Sequence, residues 1–349
     1  MAGTIREMLE ELEERTLHPR AARSARSRGR VRPEAPDDER PSFQRDRDRL
    51  VHSKAFRRLA GKTQVFLAPR GDHYRTRLTH TLEVAQVGRS IARALRLNEM
   101  LVEAMVMGHD LGHTPFGHAG ERLLAEVVPG GFHHVVQSVR VVEVLENEGH
   151  GLNLTEEVRD GILRHSKGRG KVLLGGTGQK ALTLEAEIVR IADIVAYVNH
   201  DLDDAVRAGL FAEGDVPPEI RRVLGDDRSG RFRTLIHDVI SRSDVDGGGH
   251  IEMSPEVHGA LLALRDFLYM RVYENPIVHD EFVKAQRILR DLWSWCLEDP
   301  VRLAARFGVA PRPGETVERA ATDWLSGMTD RFALATWEAL FLPRPWGAV

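Results

Sequence analysis

The amino-acid sequence predicts an all-α protein, and three observations carry the prediction. From about Gln44 onward apolar residues recur at spacings of three and four, almost no stretch alternates with period two, and the periodic stretches are divided by Gly- or Pro-containing joints suited to helix ends. Four stretches stand out: residues 76–96, 98–112, 114–127 and 183–208. Later in the chain, Ser254 and Pro255 take the positions of N-cap and first helical residue before an amphipathic run that reaches Tyr273.

The elements before and between these stretches read more simply. The start, MAGTIREMLEELEERTLH, is an acidic helix without an apolar signal core. It is followed by RAARSARSRGRVR and PEAPDDERP, which predict a solvated basic arm, with an ordered phosphate or subunit contact as the alternative. Residues 167–180 are Gly-rich and read as a looped-out insert. They lack the G-K-[ST] ending and preceding strand of a phosphate-binding loop. The segment DVDGGGH at 244–250 reads as a turn, without the spacing or closing Glu of a calcium loop. FLYMRVY and LWSWCL read as core or subunit interface.

Composition bounds the class. The 349 residues are 42% hydrophobic and 29% charged, which excludes a fibrous or mostly disordered chain and suits one large domain with a helical extension, or two packed domains. The single cysteine, Cys296, excludes an internal disulfide and a cysteine-based zinc cage, and points to a reducing compartment. No apolar run of ~18 residues occurs, so the cytoplasm is the expected location. A net charge of −3 gives no global attraction to nucleic acid.

Chemistry concentrates in HDLGHTPFGHAGE, residues 109–121, which holds three histidines and two carboxylates. A lone histidine on an apolar face is usually a satisfied core residue. Here, however, His80 falls on one stripe with Val84, Val87 and Ile91, and His109 follows Val102, Met105 and Val106. Asp193 sits inside EIVRIADIVAYV, where an uncompensated carboxylate is costly. His80, His109, Asp110 and Asp193 are therefore expected to hold a divalent metal, and mixed imidazole and carboxylate ligation suits Mn, Fe, Co, Ni or Mg. A zinc-protease reading fails, because Asp110 stands where that motif needs Glu and Gly112 and Pro115 interrupt its helix. Thr114 and Pro115 are expected to open the next helix. On that helix His118 and Glu121 share a face, as a general acid–base dyad would. Tyr197 and Asp201 follow Asp193 at four and eight residues and suit a sugar, while Arg57, Arg58, Lys62, Arg75 and Arg77 suit a polyphosphate.

These residues resemble the HD-domain deoxynucleoside triphosphate triphosphohydrolases, in particular their shorter bacterial dGTPase-like branch. The resemblance runs through FQRDRDRLVHSKAFRRLAGKTQVF, RTRLTHTLEVAQVGRSIA, LNEMLVEAMVMGHDLGHTPFGHAGE, GLNLTEEVRDGILRHS and VRIADIVAYVNHDLDDA. It implies an HD-domain helical fold with additional C-terminal helices: an N-terminal helix and arm over residues 1–40, a catalytic domain over 41–210 and a packed helical region over 211–349. It also implies that His80, His109, Asp110 and Asp193 ligate the metal, that His118 and Glu121 form the dyad, and that His113 and His134 lie near the phosphates. Gln64, Tyr197 and Asp201 would contact the deoxyribose, and Arg57 and Arg58 belong to the family's FRRL segment. The implied reaction is attack of water at the α-phosphorus of a dNTP, releasing deoxynucleoside and tripolyphosphate. Homo-oligomers, with dNTP or single-stranded DNA as effector, are implied too. The chain departs from the family's GGFEHN pattern: residues 130–135 read GGFHHV, so His133 and Val135 replace an acid and an amide beside His134, which is expected to loosen its orientation. The rival expectations are an HD-type enzyme acting on a monophosphate, cyclic nucleotide or alarmone, and a nucleotide- or single-strand-binding regulator with a structural metal.

Overall fold

The computed structural model describes residues 3–64, 75–166 and 181–343, and the insert expected to loop out at 167–180 lies outside them. Among the described residues there is no β-strand, only isolated bridges. Each of the four outstanding periodic stretches forms a helix: α4 (Arg77–Ala94), α5 (Glu99–His109), α6 (Gly117–Val127) and α9 (Leu184–Arg207). Before them come α1 (Ile5–Thr16), α2 (Ser42–Val51) and α3 (Lys54–Arg58). Between them lie α7 (His134–Arg140) and α8 (Glu156–Arg164). Local chemistry sets the starts. Thr76, Asn98 and Thr183 accept the amide hydrogens of Thr79, Leu101 and Ala186 at the heads of α4, α5 and α9.

The centre of the molecule is the contact of α4, α5 and α9, where Val84, Val87, Ile91, Leu101, Val102, Met105, Ile188, Ala192 and Val195 are fully buried. The same apolar core runs on through α10 (Pro218–Leu224), α11 (Arg228–Arg242) and α12 (Pro255–Leu268), ending at Val272. Ser254 caps α12 with Pro255 as its first residue, as its sequence predicts. A second core joins α6 to α13 (Pro276–Glu298), α14 (Pro300–Phe307), α15 (Val317–Ser326) and α16 (Asp330–Phe341). The segment LWSWCL lies in it, and there burial pushes the Cys296 thiol up to about 12, leaving it inert. Residues 244–250 form the expected turn, with the Asp244 carboxylate accepting the amides of Gly247 and Gly248 at 2.7 and 2.6 Å.

Two expectations are corrected. The basic arm is not a solvated tail: Arg23 is buried and donates to the carbonyls of Leu17, His18 and Ala21, while Arg30 pairs with the buried Asp46 and donates to the Asn153 carbonyl. These arginines neutralise buried carbonyls and a carboxylate, which composition alone cannot reveal. The second correction concerns α6, which opens at Gly117 and not at Thr114–Pro115. Phe116 and Gly117 adopt left-handed φ of 62° and 54°, because the Phe116 ring is drawn into the second core while its amide donates to Asp330 Oδ1 at 2.9 Å.

The two cores meet around the irregular segment 110–116. Lys62, fully enclosed, donates to the carbonyls of His113 and Ser326, and burial lowers its pKa to about 7. Asp330 accepts the Thr63 amide at 3.0 Å as well as the Phe116 amide. C-terminal helices thereby hold the loops that carry His113 and Gln64.

Candidate metal centre and active site

α4 delivers His80, the last residue of α5 and its C-cap deliver His109 and Asp110, and α9 delivers Asp193. His80 Nε2 lies 3.1 Å from Asp193 Oδ1, and His109 Nε2 lies 3.5 Å from Asp110 Oδ1 and 3.9 Å from Asp193 Oδ1. Ligand atoms of His80, His109 and Asp110 all fall within 4.8 Å of one another. The donor set fits a divalent metal on a specific observation. His109 Nδ1–H donates to the Val106 carbonyl at 2.7 Å, so Nε2 carries the lone pair, and this buried nitrogen has no hydrogen-bond partner. A buried acceptor aimed at two carboxylates is costly unless a cation stands between them.

Both carboxylates are held ionised. Although burial alone would raise Asp110, the neighbouring His109 and His113 imidazoles and the Arg77 guanidinium hold it well below the usual carboxylate range. Asp193 is likewise brought to about 2, against burial, by its contact with His80 and the neighbouring His109 and His165 imidazoles. Arg77, one of the cations expected to meet phosphate, is committed here, with Nη1 2.7 Å from Asp110 Oδ2 and both side chains buried. Arg75 is committed too, to Glu83, Asp203 and Asp204, and Lys62 to its two carbonyls. Arg57 and Arg58 are exposed on α3, and Arg57 donates to the His52 carbonyl at 3.0 Å.

Beside the cluster lies a group of histidines. The sequence pairs Glu121 with His118, one turn away on α6. The structure joins Glu121 Oε1 to His134 of α7, through the ring Nδ1–H at 2.6 Å and the backbone amide at 2.9 Å. This bond raises the His134 pKa against burial and lowers that of Glu121, so the two form an ion pair. His134 is thus firmly oriented in spite of His133 and Val135, a correction to the loosening expected from the altered motif. Its ring stacks on His113 at 4.0 Å, and His113 Nε2 lies 3.3 Å from Asp110 Oδ1. His118 of α6 is exposed, with its ring centroid 6.4 Å from that of His113. Surrounding protein atoms and then Arg77 lower its pKa to about 4.

Sequence reasoning missed His165 and His200. His165 Nδ1–H donates to the Ile162 carbonyl at 2.8 Å, and its Nε2 faces His134 Nε2 at 3.3 Å. Burial lowers its pKa to about 4, so it accepts the proton that the cationic His134 presents. His200 Nδ1 faces His80 Nδ1 at 3.3 Å. Spacing offered a signal only for His200, seven residues beyond Asp193 and so on the same face of α9. Gln64 is buried, and its Oε1 has no hydrogen-bond partner; the backbone carbonyls of Thr63 and Gln64 crowd Gly117 so closely that a Cβ there would stand 3.4 and 3.2 Å from them. Along α9, Tyr197 is half-buried against the first core and Asp201 is buried.

An all-helical scaffold that gathers a histidine, an adjacent His-Asp pair and a distant aspartate, with an ionised Glu–His pair alongside, defines a metal-dependent phosphohydrolase of the HD class. Consistently, residues 77–198 match the HD domain and residues 251–339 match the phosphohydrolase-associated domain. The chain is 51% identical over 348 residues to the deoxyguanosinetriphosphate triphosphohydrolase-like protein of Desulfatibacillum aliphaticivorans, covering 98% of this chain and 99% of that one. It is 50% identical to the like-named protein of Caldanaerobacter subterraneus subsp. tengcongensis (98% and 97% covered) and 41% identical to that of Clostridium tetani (98% and 97%). The chain belongs to the deoxyguanosinetriphosphate triphosphohydrolase-like family. No helix among the described residues is long and apolar enough to cross a membrane.

Proposed function

We propose that this protein hydrolyses deoxynucleoside triphosphates at the α-phosphorus to deoxynucleoside and tripolyphosphate. The observation that carries the reading is the run of Asp193, Tyr197 and Asp201 along one helix: a metal ligand at one end and, one and two turns on, a ring and a buried carboxylate suited to a sugar. The names of the relatives, which specify a deoxyguanosine triphosphate, support a nucleoside triphosphate of the deoxy series.

In this reading His80, His109, Asp110 and Asp193 hold a divalent ion, with Mn, Mg, Co, Ni or Fe all compatible with the ligands. A bound ion there supplies Lewis acidity toward a phosphoryl oxygen and lowers the pKa of a water. The chain's own residues do the rest. His118, neutral near pH 7, accepts or returns a proton at the site. His134, cationic through Glu121, faces the phosphates with His113 stacked on it. Gln64 and Asp201 hydrogen-bond the deoxyribose, while the Tyr197 ring crowds a 2′-hydroxyl. Arg57 and Arg58 neutralise the distal phosphates. A cytoplasmic location and a homo-oligomeric assembly responsive to dNTP or single-stranded DNA belong to the same reading, and light scattering with and without those ligands tests the assembly.

Product analysis tests the reaction. Each dNTP is incubated with the protein and Mn2+, and the phosphate species are resolved. Tripolyphosphate and deoxynucleoside are expected; orthophosphate or pyrophosphate as the first product would overturn the reading.

A further inference from the structure

Outside the ligand set, a line of side chains runs from the surface to His80. Glu83, one turn beyond His80 on α4, meets His200 of α9: its Oε2 is in contact with His200 Nε2. The Glu83 carboxylate is itself held by Arg75 Nε at 3.2 Å and by Arg228 Nη2 at 3.2 Å. On the other side of the same imidazole, His200 Nδ1 lies 3.3 Å from His80 Nδ1, the two rings standing nearly perpendicular at 87°. His200 and His80 are both buried, at 0% and 1% exposure, so neither ring can exchange these partners for water.

An ionised carboxylate only accepts, and so it keeps the His200 proton on Nε2. With its proton on Nε2, the His200 ring presents a lone pair at Nδ1. Facing that lone pair stands His80 Nδ1, while His80 Nε2 lies 3.1 Å from Asp193 Oδ1. We propose that Glu83 and His200 form a relay of positioning groups that fixes the tautomer and the ring plane of His80, so that its Nε2 lone pair is offered to the metal held with His109, Asp110 and Asp193. This inference rests on the metal-centre reading of those four residues. Histidine ligands are generally oriented by an acceptor on their remote nitrogen, and loss of that acceptor weakens metal binding by about 10–100-fold. Here a second imidazole stands between the ligand and its carboxylate. Arg75 and Arg228, fixed by Asp203 and Asp204, anchor the far end.

Two measurements on the full-length protein test the relay. The first is 15N chemical shifts of the histidine rings, before and after loading with diamagnetic Mg2+. Protonated Nε2 and unprotonated Nδ1 on His200 are expected in both states, and an Nδ1–H tautomer overturns the proposal. The second is calorimetric titration of the metal-free protein with Mn2+. His200→Leu and Glu83→Gln should weaken Mn2+ binding about 10-fold or more. His200→Asn, whose side-chain oxygen stands where Nδ1 stood and still accepts from His80, should stay within about threefold of the parent protein, an order-of-magnitude expectation from the same ligand-orienting effect. Circular dichroism melts without metal separate loss of folding from loss of the relay, and the partly exposed Glu83 keeps the test open should His200→Leu fail to fold. Parental affinity in His200→Leu or Glu83→Gln, or loss in His200→Asn equal to that in His200→Leu, overturns the relay alone. A parent protein that takes up no Mn2+ overturns the metal-centre reading and the relay with it.

Discussion

The hydrogen bond from His109 Nδ1 to the Val106 carbonyl leaves Nε2 with a lone pair and no donor, so His109 and the ionised Asp110 and Asp193 together present only acceptors. Thermal unfolding should therefore respond to metal. At a Mn2+ concentration 100 times its Kd, the folded state gains about 2.7 kcal/mol, a gain that a chelator removes and that His109→Ala should lack. The Glu121–His134 pair gives a second prediction at this scale. Glu121 is depressed, so its contribution is present above the unfolded value of about 4.3 and lost as pH falls through the folded one. His134 is raised, so its contribution is complete below the unfolded value of about 6.5 and lost as pH rises through the folded one. The urea midpoint of the parent protein minus that of Glu121→Gln should thus be largest between about pH 4.5 and 6.5, and shrink toward pH 9. A difference independent of pH would contradict the ion pair.

Among the elements, α7 owes its position to a glycine in the HDLGH turn. A Cβ on Gly112 would lie 2.2 Å from the Ser138 nitrogen and 2.5 Å from the His134 carbonyl oxygen, both backbone atoms that cannot rotate away. Ser138 completes the joint, its hydroxyl accepting from the Gly112 amide at 2.9 Å and donating to the His109 carbonyl at 2.7 Å. Gly112→Ala should cost about 3 kcal/mol in urea unfolding and displace His134, lowering turnover as well. Gly259 in α12 provides the contrast. A Cβ there meets nothing within 4 Å, so Gly259→Ala should raise stability by about 0.5–1 kcal/mol through helix propensity. The late start of α6 has the same tertiary origin. Thr114–Pro115 is a sound helix opening in isolation, yet the pull of the second core on Phe116 moves the start to Gly117.

For the molecule as a whole, the C-terminal helices are part of the site's construction. Asp330 and the Ser326 carbonyl hold residues 62, 63 and 116, while Asp323 accepts from Gln137 and Arg140 and so ties α15 to α7. Asp330→Ala leaves the Thr63 and Phe116 amides without their acceptor. A loss of about 1–3 kcal/mol is expected, with faster proteolysis near residues 62–64 and 113–116. Unchanged proteolysis would mean that these loops hold their shape without α16.

The helical architecture, the metal-dependent phosphohydrolase class and the inward-facing positions of His80, His109, Asp110 and Asp193 were legible in the sequence. Periodicity and the cost of placing His80 and Asp193 on apolar stripes are local properties of a chain, readable without neighbours. The same logic made Tyr197 and Asp201 visible as continuations of one helix face. What the tertiary structure alone decided is which groups face one another across elements. Arg77 meets Asp110, Glu121 meets His134, Lys62 caps carbonyls, and His200 stands behind His80. In sequence those residues are charges and rings of open destination. Hydrogen bonds 33, 13, 51 and 120 residues apart are set by how the helices stack, because a buried charge takes whatever partner the packing brings within reach.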